Sequence, residues 1–212
     1  MNKLIFTAIL SGFAGLYAMG QNEIRLMDMD LNKSYQTYGG AVKGKSVTNE
    51  PASIQGKTYD DVIGVQAKID LHKNASRFQA QVGIADSHID YTDKSLTVIP
   101  FVDGTKMYFD TRKNAKTFVG LEGKDGKVHP GSALFILKGD DKELYNSSII
   151  KLGDAPKTID IPLNGIKILD LIVEPTDDGP SGDHALWITP QIEDMENIPS
   201  IVSTSYQGKG PE

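Results

Sequence analysis

The sequence predicts an all-β chain, an antiparallel sandwich or barrel, on three observations. The segment Arg77-Phe78-Gln79-Ala80-Gln81-Val82-Gly83-Ile84 alternates strictly. Phe78, Ala80, Val82 and Ile84 share one face, and Arg77, Gln79 and Gln81 share the other. That period of two belongs to a sheet with one wet face. Turn residues also recur at short intervals: Asp103-Gly104, Asp125-Gly126, Gly139-Asp140-Asp141, Gly153-Asp154 and Asn164-Gly165. They tolerate the positive φ that tight hairpins require. Finally, no long stretch of apolar residues at helical spacing is flanked by caps. Short strands at this spacing point to stacked antiparallel layers.

Taken in order, the strand candidates are Ala67–His72, Arg77–Ile84, Leu96–Phe101, Lys106–Thr111, Thr117–Leu121, Ala133–Lys138, Leu144–Ile150, Thr158–Leu163, Ile166–Val173 and His184–Ile192. Asp28-Met29-Asp30-Leu31-Asn32 alternates as an early strand would. Helix is confined to a short turn in the first third or near Glu193–Asn197. One domain is expected over residues 22–195. Residues 87–130 are the most irregular stretch and read as a hairpin insertion. Residues 198–212 are polar and hold Pro199, Gly208, Gly210 and Pro211, so they read as a tail or a fraying edge strand.

Residues 1–20 carry the layout of a secretory signal peptide. Lys3 supplies the positive end, an uncharged apolar run follows from Leu4 to Tyr17, and Ala18-Met19-Gly20 puts small residues before a cut at Gln21. Ser11, Gly12 and Gly15 dilute the run, which argues against an anchor of membrane-spanning length. The expected location is therefore secreted or periplasmic. The 212-residue chain is 39% hydrophobic and 24% charged, an ordinary globular balance that argues against disorder and coiled coil. It has no cysteine, which excludes disulfides, zinc–thiolate sites and cysteine nucleophiles. A net charge of −6 lacks the basic surface that phosphate backbones require.

Three local catalytic signatures are absent, while spacing alone does not exclude a Ser-His-Asp triad of another order. No two histidines stand at i and i+4, no G-x-S-x-G elbow is present, and no glycine-rich phosphate cradle occurs. Asp140-Asp141 and Asp177-Asp178 lie in turns, where solvated or turn-forming carboxylates are the plain reading. The loop Glu174–Asp183 is rich in oxygen ligands and could hold a hard cation such as calcium through Asp177 and Asp178. An EF-hand beginning at Asp28 fails, because its sixth position is Lys33 and its twelfth is Gly39.

The sharpest local feature is Gly182-Asp183-His184-Ala185-Leu186-Trp187, which holds the chain's single tryptophan. Aromatic faces stack on the C–H patches of sugars, while fixed Asp, His or amide groups bond the hydroxyls. A lone Trp in a sandwich also serves as core, so both readings stand at this point.

The order of motifs resembles the NPCBM domain, related to the family-51 carbohydrate-binding modules. The likeness runs through Ile24-Arg25-Leu26-Met27-Asp28, Ile54–Tyr59, Ile63-Gly64-Val65-Gln66-Ala67, Ser76–Asp86, Gly131–Leu137, Leu144–Ser147, Leu169–Val173 and Gly182–Trp187. It implies a galactose-binding-like antiparallel β-sandwich, often a jelly roll, usually appended to secreted glycoside hydrolases and often holding a structural calcium. It implies a glycan partner rather than catalysis, with the site on loops at one end. Carried onto this chain, the carbohydrate-binding residues are Asp183, His184 and Trp187. Gln66 stands where the family commonly has His, and its amide could serve in its place. Leu186 stands where the family commonly has Asp. The alternative is a structural or protein-interaction sandwich with an eroded sugar site and a protein partner at residues 87–130.

Overall fold

A computed structural model describes residues 23–35, 41, 43–47, 49–86, 96–100, 102, 106–110, 117–122, 131–177, 183–193 and 199–203. Its strands are β1 Ile24–Arg25, β2 Ala52–Ile54, β3 Lys57–Tyr59, β4 Val62–Ile63, β5 Ala67–Asp70, β6 Arg77–Ile84, β7 Leu96–Pro100, β8 Lys106–Asp110, β9 Thr117–Glu122, β10 Ser132–Gly139, β11 Lys142–Lys151, β12 Lys157–Pro162, β13 Ile168–Pro175, β14 Ala185–Glu193 and β15 Ser200–Ser203. The first large sheet runs β1-β14-β6-β12, with β4 on the same edge of β14 as β1. The second runs β11-β10-β13-β5-β15. Every strand pairing among the described residues is antiparallel. The fold is therefore the antiparallel sandwich that the alternation predicts.

The core lies between the two sheets. Phe78, Val82, Trp187 and Ile192 from the first meet Phe135, Leu137, Ile69 and Leu171 from the second, all of them fully buried. The period of two in β6 sends Phe78, Ala80, Val82 and Ile84 into this layer, while Arg77 and Gln81 stay exposed.

The β2–β3 hairpin is not among the strands expected from sequence. Its two turn residues, Gln55 (φ 52°) and Gly56 (φ 74°), both have positive φ, as a two-residue hairpin of the right twist requires. Asp86 clamps it from the end of β6, accepting from Ser53 Oγ and from the backbone N–H groups of Gln55 and Gly56, each at 2.9 Å. The hairpin covers part of the outer face of the first sheet. There Ala52, Ile54, Val62, Ala85, Leu186 and Ile188 form a second, smaller core. Gly83 makes room for it: a Cβ at this position would stand 2.6 Å from Ile54 Cδ1.

Three further segments compare with the expectations as follows. The expected early strand at residues 28–32 is absent. Leu26–Asp28 instead forms a 3-10 turn, closed by Met29 N–H to Leu26 O at 3.2 Å. Met29 and Leu31 are nevertheless buried and Asp30 and Asn32 exposed, so the alternation reports burial in a segment that joins no ladder. Beyond residue 195, Ser200–Ser203 pairs with β5 and buries Ile201, which is the edge-strand alternative of the two expected for this segment. Within residues 87–130 the chain forms a three-stranded antiparallel sheet, β7-β8-β9, rather than a simple hairpin. The turn near Glu193–Asn197 lies mostly outside the described residues. Among the described residues no helix is long and apolar enough to cross a membrane.

Candidate functional site

The corner before β14 is held by short polar contacts. Asp183 Oδ1 accepts from the Ser132 N–H at 2.7 Å, tying the corner to the start of β10. Ser132 Oγ meets Thr176 Oγ1 at 2.5 Å, which brings in the end of β13. The His184 carbonyl accepts from Ala85 N–H at 2.8 Å. Asp183 and His184 are both half-buried.

Gln66 stands just before β5. Its backbone pairs in both directions with Tyr35, at 2.8 and 2.9 Å, and it too is half-buried. Gly64 packs against the start of β14, where a Cβ would approach the Ala185 carbonyl to 3.3 Å and Val47 Cγ1 to 2.7 Å. The Ile63-Gly64-Val65 segment therefore runs beside Ala185–Trp187.

Trp187 joins them from inside. Its indole Nε1–H donates to the Val65 carbonyl at 3.0 Å. The ring meets Phe135 edge-on at 5.3 Å between centroids and Phe78 at 6.3 Å. Its exposure is 0%. This corrects the expectation that Trp187 offers a face to a sugar. β14 lies between β6 on one side and β1 and β4 on the other, and Trp187, opposite Val82 and Ile63, points into the sandwich. The indole is core, and its one polar atom is satisfied by the very segment that carries Gln66.

Asp177 is exposed in the turn after β13, and Asp178 lies outside the described residues. Among the described residues no three His, Asp or Glu side chains converge as a metal site. His88 and His129 also lie outside the described residues. His72 occupies a turn, with Nδ1 3.4 Å from Asp70 Oδ1. Asp140 is structural: its carboxylate accepts from the Lys167 and Ile168 N–H groups at 2.9–3.2 Å, which hold it below the usual carboxylate range.

A second feature is not among the sites expected from sequence. The outer face of the first sheet holds a groove of about 400 Å³. Its floor is built by Gln79 and Gln81 of β6, Thr158 and Asp160 of β12, and Gln191 of β14; Lys57 and Tyr59 of the hairpin also line it. Gln79 Nε2 reaches Asp160 at 3.4 Å, and Gln191 Nε2 donates to Gln79 Oε1 at 3.1 Å. Arg77 clamps Asp160 through two nitrogens and depresses its pKa. The sequence signal for it is the wet face of Arg77–Ile84, which by itself reads only as solvated.

Together these elements make an antiparallel β-sandwich whose β14 corner is tied to β10 by Asp183. The family model described as the NPCBM/NEW2 domain matches residues 22–111 and again 104–193, and the chain belongs to that family. The two matched stretches build common sheets: β6 from the first pairs with β14 from the second, and β5 with β13.

The fold is shared with solved modules of low identity. A CBM51 from Clostridium perfringens GH95, solved with methyl-galactose, superposes with a TM-score of 0.54 at 16% identity, covering 81% of this chain and 99% of that one. A Clostridium perfringens ZmpB structure holding CBM51-2 with GlcNAc gives 0.55 at 16%, covering 84% of this chain and 32% of that one. Tandem CBM51 modules of a family 98 glycoside hydrolase from Streptococcus pneumoniae give 0.51 at 15%, covering 90% and 52%. In sequence, 43 residues are 49% identical to a Renibacterium salmoninarum protein that carries the name putative endo-alpha-N-acetylgalactosaminidase. Those residues are 20% of this chain and 3% of that protein.

Proposed function

We propose that this chain is an exported, non-catalytic glycan-binding module that takes a terminal or branch sugar at the rim formed by Gln66, Asp183 and His184. The observation that carries the reading is the bond from Trp187 Nε1 to the Val65 carbonyl, which ties the residue before Gln66 to β14, the strand that Asp183 and His184 lead into. Gln66 and His184 supply donors and acceptors for hydroxyls, and Asp183 sets the corner's shape. Trp187 acts as a positioning residue. Membership of the family supports glycan as the ligand class, and the methyl-galactose held by the Clostridium perfringens module supports a galactose-like sugar as the first to try. The oxygen-rich 174–183 loop makes calcium a component to vary. Export rests on the leader at residues 1–20.

A few hydroxyl bonds at a half-buried rim correspond to a Kd on the order of 0.1–1 mM. Calorimetry with methyl-galactoside and a glycan array, each with and without calcium, tests this. Binding in that range, weakened about tenfold or more in Gln66→Ala and His184→Ala at unchanged melting temperature, is the expected result. No binding to any sugar under either condition overturns it.

One observation favours a second reading, a protein-interaction module: residues 96–122 build a sheet of their own. A pull-down that depends on residues 87–130 and ignores added sugars would favour it.

A further inference from the structure

We propose that the groove on the outer face of the first sheet is a second binding site, for an extended neutral oligosaccharide. It is separate from the Gln66–His184 rim and does not depend on that rim binding a sugar.

The groove is built rather than incidental. Cross-strand register places Asp160, Gln79 and Gln191 in one row, and Thr158, Gln81 and Ile188 in the next. The first row is wired end to end: Arg77 to Asp160, Gln79 to Asp160, and Gln191 to Gln79. These bonds fix how the Gln79 amide is turned before any ligand arrives, which lowers the ordering cost of binding. In the second row Gln81 and Thr158 are exposed, and among the described residues no hydrogen-bond partner takes either side chain, while Ile188 is buried under the hairpin. An amide and a hydroxyl each donate and accept, as sugar hydroxyls do.

Charge selects the ligand class. Arg77 is offset by Asp160 and feels Glu193 as well, and the Lys57 ammonium lies 4.8 Å from the Tyr59 ring centroid. Among the lining residues one cation, Lys57, and one anion, Asp160, leave the groove without a net field to recruit a charged chain. Tyr59 lines the wall half-buried, its ring packed on the smaller core with the Lys57 ammonium over it.

The far end is strained. Thr189, a β-branched residue, has φ 46° where β14 bulges between Ile188 and Gln191. Pro190 follows it, and a proline within a strand belongs at a bulge. The bulge leaves Thr189 exposed at the groove, and such irregularities gather where a side chain is re-aimed.

The test is an NMR titration of the full chain with neutral four- to six-unit gluco-, xylo- and galacto-oligosaccharides, and with an oligogalacturonate as the acidic counterpart. The side-chain NH₂ signals of Gln79, Gln81 and Gln191 are the reporters. The expected result is that at least one neutral oligomer moves these signals, that the acidic one does not, and that Gln81→Ala weakens binding about tenfold, as loss of one or two neutral hydrogen bonds implies. The same shifts should persist in His184→Ala, so failure at the rim and failure at the groove are read separately. Silence of all three amides with every neutral oligomer overturns the proposal, as does stronger binding of the acidic chain or loss of the shifts in His184→Ala.

Discussion

The two faces of the first sheet use the same strands to opposite ends. Inward, β6 and β14 present Phe78, Val82 and Trp187, packed against Phe135 with no exposed surface. Outward, they present Gln79, Gln81 and Gln191 beside Asp160. The lesson is that alternation separates stability from recognition on one piece of backbone. The chain's single indole went to stability, and polar recognition is left to the rim and the outer face.

The sharpest way to break the comparison is Trp187→Ala. It removes the largest buried side chain and orphans the Val65 carbonyl, so a loss of about 3–5 kcal/mol is expected in urea unfolding. Glycan binding should then disappear through unfolding. Gln81→Ala, on the wet face of β6, should stay within about 0.5 kcal/mol of the parent.

Gly83→Ala probes where the hairpin presses on the outer face. The new methyl meets Ile54 Cδ1, so a cost of about 1–3 kcal/mol is expected. Gly83→Ala combined with Ile54→Ala should cost less than the sum of the two single changes, a coupling that a double-mutant cycle measures.

A smaller effect concerns acid. Asp140 and Asp160 both have depressed pKa values in the fold, through backbone N–H donors and through Arg77 respectively. A carboxylate of this kind contributes stability above its unfolded value, near 3.8, and loses it as pH falls through the lower folded value. Asp61 is shifted upward, chiefly by burial, and so acts in the opposite sense. Melting temperature measured from pH 6 downward in Asp140→Asn should show a shallower acid decline than the parent; an unchanged slope would remove Asp140 from this role.

How much is legible in the sequence follows from how each signal arises. β6 is legible to the residue, because one wet and one dry face print a clean alternation. The β2–β3 hairpin is not, because its strands are three residues each, too short to show a period, and its turn opens with Gln55 rather than Asn or Asp. Trp187 carries its own warning: Ala185-Leu186-Trp187-Ile188 is four apolar residues in a row, the mark of a strand buried on both faces. The hairpin covering Leu186 and Ile188 is what makes that so. The Ile63-Gly64-Val65 segment and β14 are far apart in sequence, and nothing short of the sheet pairing brings them together.

The central claim, that Trp187 locks the rim from within and never touches a ligand, has a direct test in the chain's single-tryptophan fluorescence. The account predicts a blue-shifted emission that iodide fails to quench and that stays unchanged when a bound glycan is added. A red-shifted, quenchable emission that responds to sugar would contradict it.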